Sequence, residues 1–177
     1  INTTPIVADQ NDTTNCDSYT LPAITGTNLV SPTYYTATNK GGVSYAGTGG
    51  SSITTTTTLF IYDETNTTPN CFTEESFTIS IENTPNITAP SNITACDSVQ
   101  LPALPGGTNL TGNLGYWSAT GGSHGSGTAM NVGDYISSNQ TVFVYDSTNS
   151  NPGCTDEESF TVTINTSPVI ASVNDTT

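Results

Sequence analysis

Basic residues are almost absent: Lys40 is the single Lys or Arg in 177 residues, against 15 Asp and Glu and a formal net charge of −14. A surface with one cation cannot neutralise a run of phosphates, and the counterion release that dominates nucleic-acid affinity needs several. Nucleic acid is excluded as a partner, and electrostatic docking to an anionic membrane with it. Long hydrophobic runs are missing too. None approaches the roughly 20 residues that span a bilayer, so no direct membrane insertion is expected. No leader pattern of basic, apolar and small residues stands at the start. The chain opens with Ile1-Asn-Thr rather than Met and reads as part of a longer polypeptide.

Only 9% of the residues are charged and 33% are hydrophobic, a composition close to that of disordered linkers. The pattern argues otherwise. Leu59-Phe-Ile-Tyr62 and Phe77-Thr-Ile-Ser-Ile81 are β-branched and aromatic, and clusters of Gly, Asn, Asp and Pro bound them as they bound strands. Thr supplies much of the polarity and is itself a strand former, so a folded, all-β chain is expected.

Self-comparison reveals a repeat. Cys16-Asp-Ser and Leu21-Pro-Ala return as Cys96-Asp-Ser and Leu101-Pro-Ala, an offset of 80. Phe60-Ile-Tyr-Asp63 returns as Phe143-Val-Tyr-Asp146, and Glu74-Glu-Ser-Phe-Thr as Glu157-Glu-Ser-Phe-Thr, both at 83. The closing segment from Asn165-Thr-Ser-Pro restates the opening from Asn2-Thr-Thr-Pro. A fixed period of this size signals a repeat array. Residues 1–81 form the first repeat, 82–164 the second, and 165–177 the start of a third.

About seven short strands are expected in each repeat. In the first they fall near 6–8, 18–21, 34–38, 43–46, 53–56, 58–63 and 76–82. Seven strands in about 80 residues point to an Ig-like β-sandwich. Tyr34-Tyr-Thr and its counterpart Tyr116-Trp-Ser fall where such a sandwich places an inward aromatic, so Tyr35 and Trp117 are read as core or cross-strand packing rather than a sugar platform.

The repeats resemble the Ig-like repeats of very large cell-surface adhesins of gliding bacteria. The resemblance rests on an early cysteine, the Tyr-Trp-Ser-like strand, and a late cysteine followed by an acidic Ser-Phe-Thr strand. It implies an exported surface protein, suggests adhesion, and transfers no catalytic residue.

Cys16, Cys71, Cys96 and Cys154 occupy equivalent places, two per repeat. An even count in an exported chain reads as disulfides. Three full pairings exist. Joining Cys16 to Cys71 and Cys96 to Cys154 respects the repeat and leaves no cysteine unpaired, which makes one disulfide per repeat. A bond from Cys71 to Cys96 would send Cys16 and Cys154 to neighbours outside the chain. Zinc is disfavoured, because there is no CxxC pair and the single histidine, His124, lies in one repeat only.

Catalytic constellations are weak. A Ser-His-Asp set would need His124, in a glycine-rich loop without a counterpart. Glu74 and Glu75 are adjacent on a strand and face opposite ways, so they cannot flank one bond. A Lys–Asn crosslink would need Lys40, which the second repeat lacks. The chain is therefore read as a non-enzyme.

Asp9 and Asp12 are replaced by Ala89 and Asn92 in the second repeat, whereas Asp17, Asp63 and Glu74 are matched by Asp97, Asp146 and Glu157. If the within-repeat disulfide gathers these acids at one end of the sandwich, they form a structural calcium site in each repeat, since calcium takes oxygen ligands. The competing reading is solvated surface charge.

Taken together, these features lead to the expectation of an extracellular, cell-surface rod: a repeat segment of a filament, stalk or adhesin. Its expected partners are neighbouring repeats of the same chain and lateral copies. The alternatives are a ligand-binding adhesin module for a glycan or host protein, with Gly121–Asn131 as its loop, or the accessory domain of a secreted hydrolase.

Overall fold

A computed structural model describes residues 3–150 and 153–171. The last six residues of the expected third repeat lie outside the described residues. The chain divides into two compact units, residues 1–83 with 149–154, and residues 84–148 with 155–177.

The first unit contains β1 (Ile6–Val7), β2 (Thr13–Cys16), β3 (Tyr19–Thr20), β4 (Gly26–Thr27), β5 (Thr33–Ala37), β6 (Gly41–Ala46), β7 (Ser52–Ile53), β8 (Thr57–Glu64) and β9 (Phe72–Glu82). One five-stranded sheet runs in the order β2-β9-β8-β5-β6, with the short pairs β1-β4 and β3-β7 beside it. The β2–β9 pairing is parallel and the others in this sheet are antiparallel.

Alternation decides which residues face inward, because successive strand side chains point to opposite faces. Leu59 and Ile61 of β8 and Phe77 and Ile79 of β9 are buried, with Leu59 directly opposite Phe77. They pack with Tyr34 of β5, Val7 of β1, Ile53 of β7, and Leu21 and Ile24. The five-stranded sheet thus forms one layer and the short pairs the other, as in a sandwich. Tyr34 meets Phe77 edge-on at 6.1 Å, and its hydroxyl donates to the carbonyl of Pro22 at 3.1 Å. That bond satisfies the polar tip of a fully buried ring.

The second unit repeats the design with β10 (Asn86–Ile87), β11 (Ile93–Cys96), β12 (Val99–Gln100), β13 (Gly107–Thr108), β14 (Gly115–Trp117), β15 (Ala129–Met130), β16 (Tyr135–Ile136), β17 (Gln140–Ser147) and β18 (Thr155–Asn165). The large sheet is β11-β18-β17-β14-β15, again with two short pairs. Its core holds Ile87, Leu101, Tyr116, Ile136, Val142, Val144, Phe160 and Val162. Tyr116 meets Phe160 edge-on at 6.0 Å and donates to the carbonyl of Ala103 at 3.1 Å.

All seven expected strand positions of the first repeat are occupied, and two further strands appear, β2 and β4. Both escape pattern reading for physical reasons. The four residues of β2, Thr-Thr-Asn-Cys, are all half-buried and show no alternation; parallel pairing to β9 recruits them. In β4, Gly26 approaches the partner strand so closely that a Cβ would lie 2.1 Å from the Ile6 carbonyl oxygen.

The inward aromatic of the third expected strand is Tyr34, or Tyr116, one residue before the expected pair. Tyr35 makes the expected cross-strand packing, edge-on to Tyr62 at 6.5 Å. Trp117 is half-buried, and its indole Nε1 is buried with no hydrogen-bond partner among the described residues.

Candidate functional site

Cys16 is bonded to Cys154, with Cα atoms 5.6 Å apart and a sequence separation of 138. Cys71 and Cys96 are free thiols, half-buried and exposed respectively. This corrects the expected pairing of Cys16 with Cys71 and of Cys96 with Cys154. The reason lies in β9. Cys16 is in register with Glu82 at the end of that strand, whereas Cys71 immediately precedes its first residue, Phe72. Eleven residues at about 3.3 Å each separate them by roughly 35 Å, and a disulfide needs Cα atoms about 4.4–6.8 Å apart. The second repeat has the same geometry: Cys96 is in register with Asn165 at the end of β18, and Cys154 precedes its start.

The acidic residues are dispersed by the same strand. Asp17 donates its backbone N–H to the Glu82 carbonyl at 2.8 Å, while Asp63 lies opposite Thr73 near the other end of β9. Those positions are nine residues apart along the strand, roughly 30 Å. Glu74 follows Thr73 and therefore faces the opposite side of the sheet. The expected gathering of Asp17, Asp63 and Glu74 does not occur, and Asp97, Asp146 and Glu157 are spread in the same way. Among the described residues no group of three or more His, Cys, Asp or Glu is placed to hold a metal ion.

Asp63, Asp146, Glu74, Glu157 and Asp97 each act separately as a hydrogen-bond acceptor. Asp63, 1% exposed, continues the inward phase of Leu59 and Ile61 and accepts the N–H groups of Val30 and Ser31, each at 2.8 Å. Asp146, fully buried, accepts from the N–H of Thr111 at 2.7 Å, the N–H of Ser147 at 2.9 Å and the Thr111 hydroxyl. A buried carboxylate persists only with such partners. These two therefore pin the loops that lead into β5 and β14.

Glu74 accepts the N–H of Asn39 at 2.8 Å, at the tight β5–β6 turn, where Asn39 and Lys40 have φ of 54° and 60°. Glu157 accepts the N–H of Gly121 at 2.6 Å and the hydroxyl of Thr120. Asp17 and Asp97 follow their cysteines in the left-handed region, with φ of 62° and 63°. The Asp97 carboxylate also accepts the Ser167 hydroxyl at 2.6 Å and N–H at 2.9 Å. The hydroxyl foremost, and then the N–H, hold its pKa below the usual aspartate value.

Asp12 and Asn92 share one task despite their different charge. Asp12 Oδ1 accepts the N–H of Thr78 at 2.6 Å, and Asn92 Oδ1 that of Thr161 at 2.8 Å. The sequence comparison separated these positions by charge, yet the geometry requires only an oxygen.

Lys40 forms an ion pair with Glu64 and lies 4.9 Å from the centroid of the Tyr62 ring. Its hydrogen bond, followed by that of Asn70, holds the Glu64 pKa below the ordinary value. Tyr62 in turn stacks on Phe72 at 5.6 Å. In the loop singled out for binding a 3-10 turn spans Gly122–His124; Gly122 is buried, so that a Cβ on it would lie 2.1 Å from the Tyr145 ring, while Ser123–Ser126 are exposed.

Sheet order, parallel edge pairing and two-layer cores define the class: an all-β chain of Ig-like sandwich units. No protein-family model matches the sequence, nor does any curated protein. Solved structures that resemble it include an I-band fragment, I67–I69, of titin, with 10% identity, 94% of this chain and 67% of that one covered, and a TM-score of 0.43. Sidekick-1 immunoglobulin domains 1–5 give 13% identity, 93% and 40% coverage, and a TM-score of 0.37. Protocadherin gamma B2 extracellular cadherin domains 3–6 give 12% identity and 0.37, the chain covering 93% of itself and 52% of that fragment. No helix among the described residues is long and apolar enough to cross a membrane.

Proposed function

We propose that this chain is a non-catalytic structural repeat segment of an extracellular filament, stalk or adhesin on a bacterial surface. The observation that carries this reading is the Cys16–Cys154 bond, which closes 138 residues of chain extending from the first repeat far into the second. A pull on the two ends of the chain passes through that bond and bypasses the backbone it encloses. A disulfide also suits an oxidising, extracellular compartment. The acids that recur in both repeats hold loops and turns, as a mechanical element requires.

Stretching single molecules from both termini tests the reading. Full unfolding in reductant should release roughly 450 Å more contour than in oxidising buffer, at about 3.3–3.6 Å per residue of the enclosed segment. Equal extension in the two buffers would show that the bond does not lie in the path of the load.

A further inference from the structure

The two free cysteines are the unbonded counterparts of the two bonded ones, and their backbone settings are reproduced closely. Cys16 ends the four-residue β2, in parallel register with Glu82; Cys96 ends the four-residue β11, in parallel register with Asn165. After Cys16, Asp17 donates its N–H to the Glu82 carbonyl; after Cys96, Asp97 donates its N–H to the Asn165 carbonyl, both at 2.8 Å. Ser18 N–H returns to the Cys16 carbonyl at 2.6 Å, and Ser98 N–H to the Cys96 carbonyl at 2.7 Å.

The other half of the bond is matched as well. Cys71 and Cys154 each immediately precede an eleven-residue strand. Exposure separates bonded from free. Cys154 is 1% exposed while Cys71 is half-buried, and Cys16 is half-buried while Cys96 is exposed. Each free thiol is thus the less covered member of its pair.

We propose that Cys96 and Cys71 are the open halves of further bonds of the Cys16–Cys154 kind. Cys96 takes the late cysteine of a repeat that follows, and Cys71 the early cysteine of one that precedes. The partner is another copy of this repeat, and the proposal rests on the reading of the chain as a segment of an array. One disulfide then closes every junction, always from the early cysteine of one repeat to the late cysteine of the next.

The oxidant is a disulfide, either low-molecular-weight, such as oxidised glutathione, or carried by an exchange enzyme. One cysteine thiolate attacks it, forming a mixed disulfide and expelling a thiolate. The second cysteine thiolate attacks the protein-bound sulfur and expels the other. Two protein thiols are oxidised, the oxidant is reduced to two thiols, and the two protons pass to the expelled thiolates.

The test uses the whole chain lengthened by one repeat, folded with oxidised glutathione and mapped by mass spectrometry without reduction. In one version a second copy of residues 82–164 follows residue 164; in the other a second copy of residues 2–81 precedes residue 2. The first should join Cys96 to the late cysteine of the added copy, and the second should join Cys71 to the early cysteine of its copy. Each should retain Cys16–Cys154 and two free thiols. Circular dichroism identifies a version that fails to fold, and the other then decides. A folded version in which the named cysteine stays free, or bonds within its own repeat, overturns the proposal. The array reading fails separately, if the native polypeptide proves to hold no further repeat.

Discussion

Cys16 and Cys71 stand at opposite ends of β9, one in register with its last residue and the other just ahead of its first. That relationship forbids a disulfide within the repeat and leaves Cys16 to Cys154. It also separates Asp17 from Asp63, so one strand accounts for both the covalent pattern and the dispersal of the acids.

The buried carboxylates should be the most sensitive polar positions. Asp63→Ala strands the N–H groups of Val30 and Ser31, and Asp146→Ala those of Thr111 and Ser147. A hydrogen bond to a charged group contributes about 1.5–3 kcal/mol, so each substitution should destabilise its unit by roughly 2–4 kcal/mol in urea unfolding. A loss below about 0.5 kcal/mol, the size of an ordinary surface change, would contradict the assignment.

Asp12 provides the opposite case. Since Asn92 does in the second repeat what Asp12 does in the first, Asp12→Asn should leave stability within about 0.5 kcal/mol. Asp12→Ala should cost about 1 kcal/mol, a typical net hydrogen bond. If the two substitutions cost the same, the carbonyl-type oxygen is not what the position supplies.

Much of this was legible in advance, and the failures share a cause. The alternation of Leu59-x-Ile61-x-Asp63 and Val142-x-Val144-x-Asp146 places each acid on the inward face, which could have been read directly. The alternating part of each long strand is legible, but β9 begins at Phe72, four residues before the expected start at 76. The polar β2 is not legible, since none of its residues alternates in burial. Without β2, nothing locates Cys16 at the far end of β9, so the missed strand and the mistaken pairing are a single error. The expected gathering of the acids inherited it, because it assumed that the within-repeat disulfide drew them together.

Alkaline pH should load the first unit through Tyr34. Burial foremost, and then the nearby Tyr19, push its pKa up to about 12. The folded state keeps this proton where the unfolded chain, with a pKa near 10, releases it. The associated stability is complete below about pH 10 and is lost as pH rises from there towards 12. Phenolate absorbance against pH should show Tyr34 ionising late, together with unfolding, and Tyr34→Phe should remove that component. Ionisation of every tyrosine near pH 10 with the fold intact would be incompatible with the buried ring.

The disulfide connectivity can be read from one non-reducing digest. Cleavage before aspartate releases residues 12–16 with Cys16 and residues 146–155 with Cys154, while Cys71 and Cys96 stay together on residues 63–96. The account predicts that the purified, oxidised chain yields 12–16 joined to 146–155, with 63–96 carrying two alkylatable thiols. Recovery of 12–16 joined to 63–96 would place Cys16 on another partner and contradict the account.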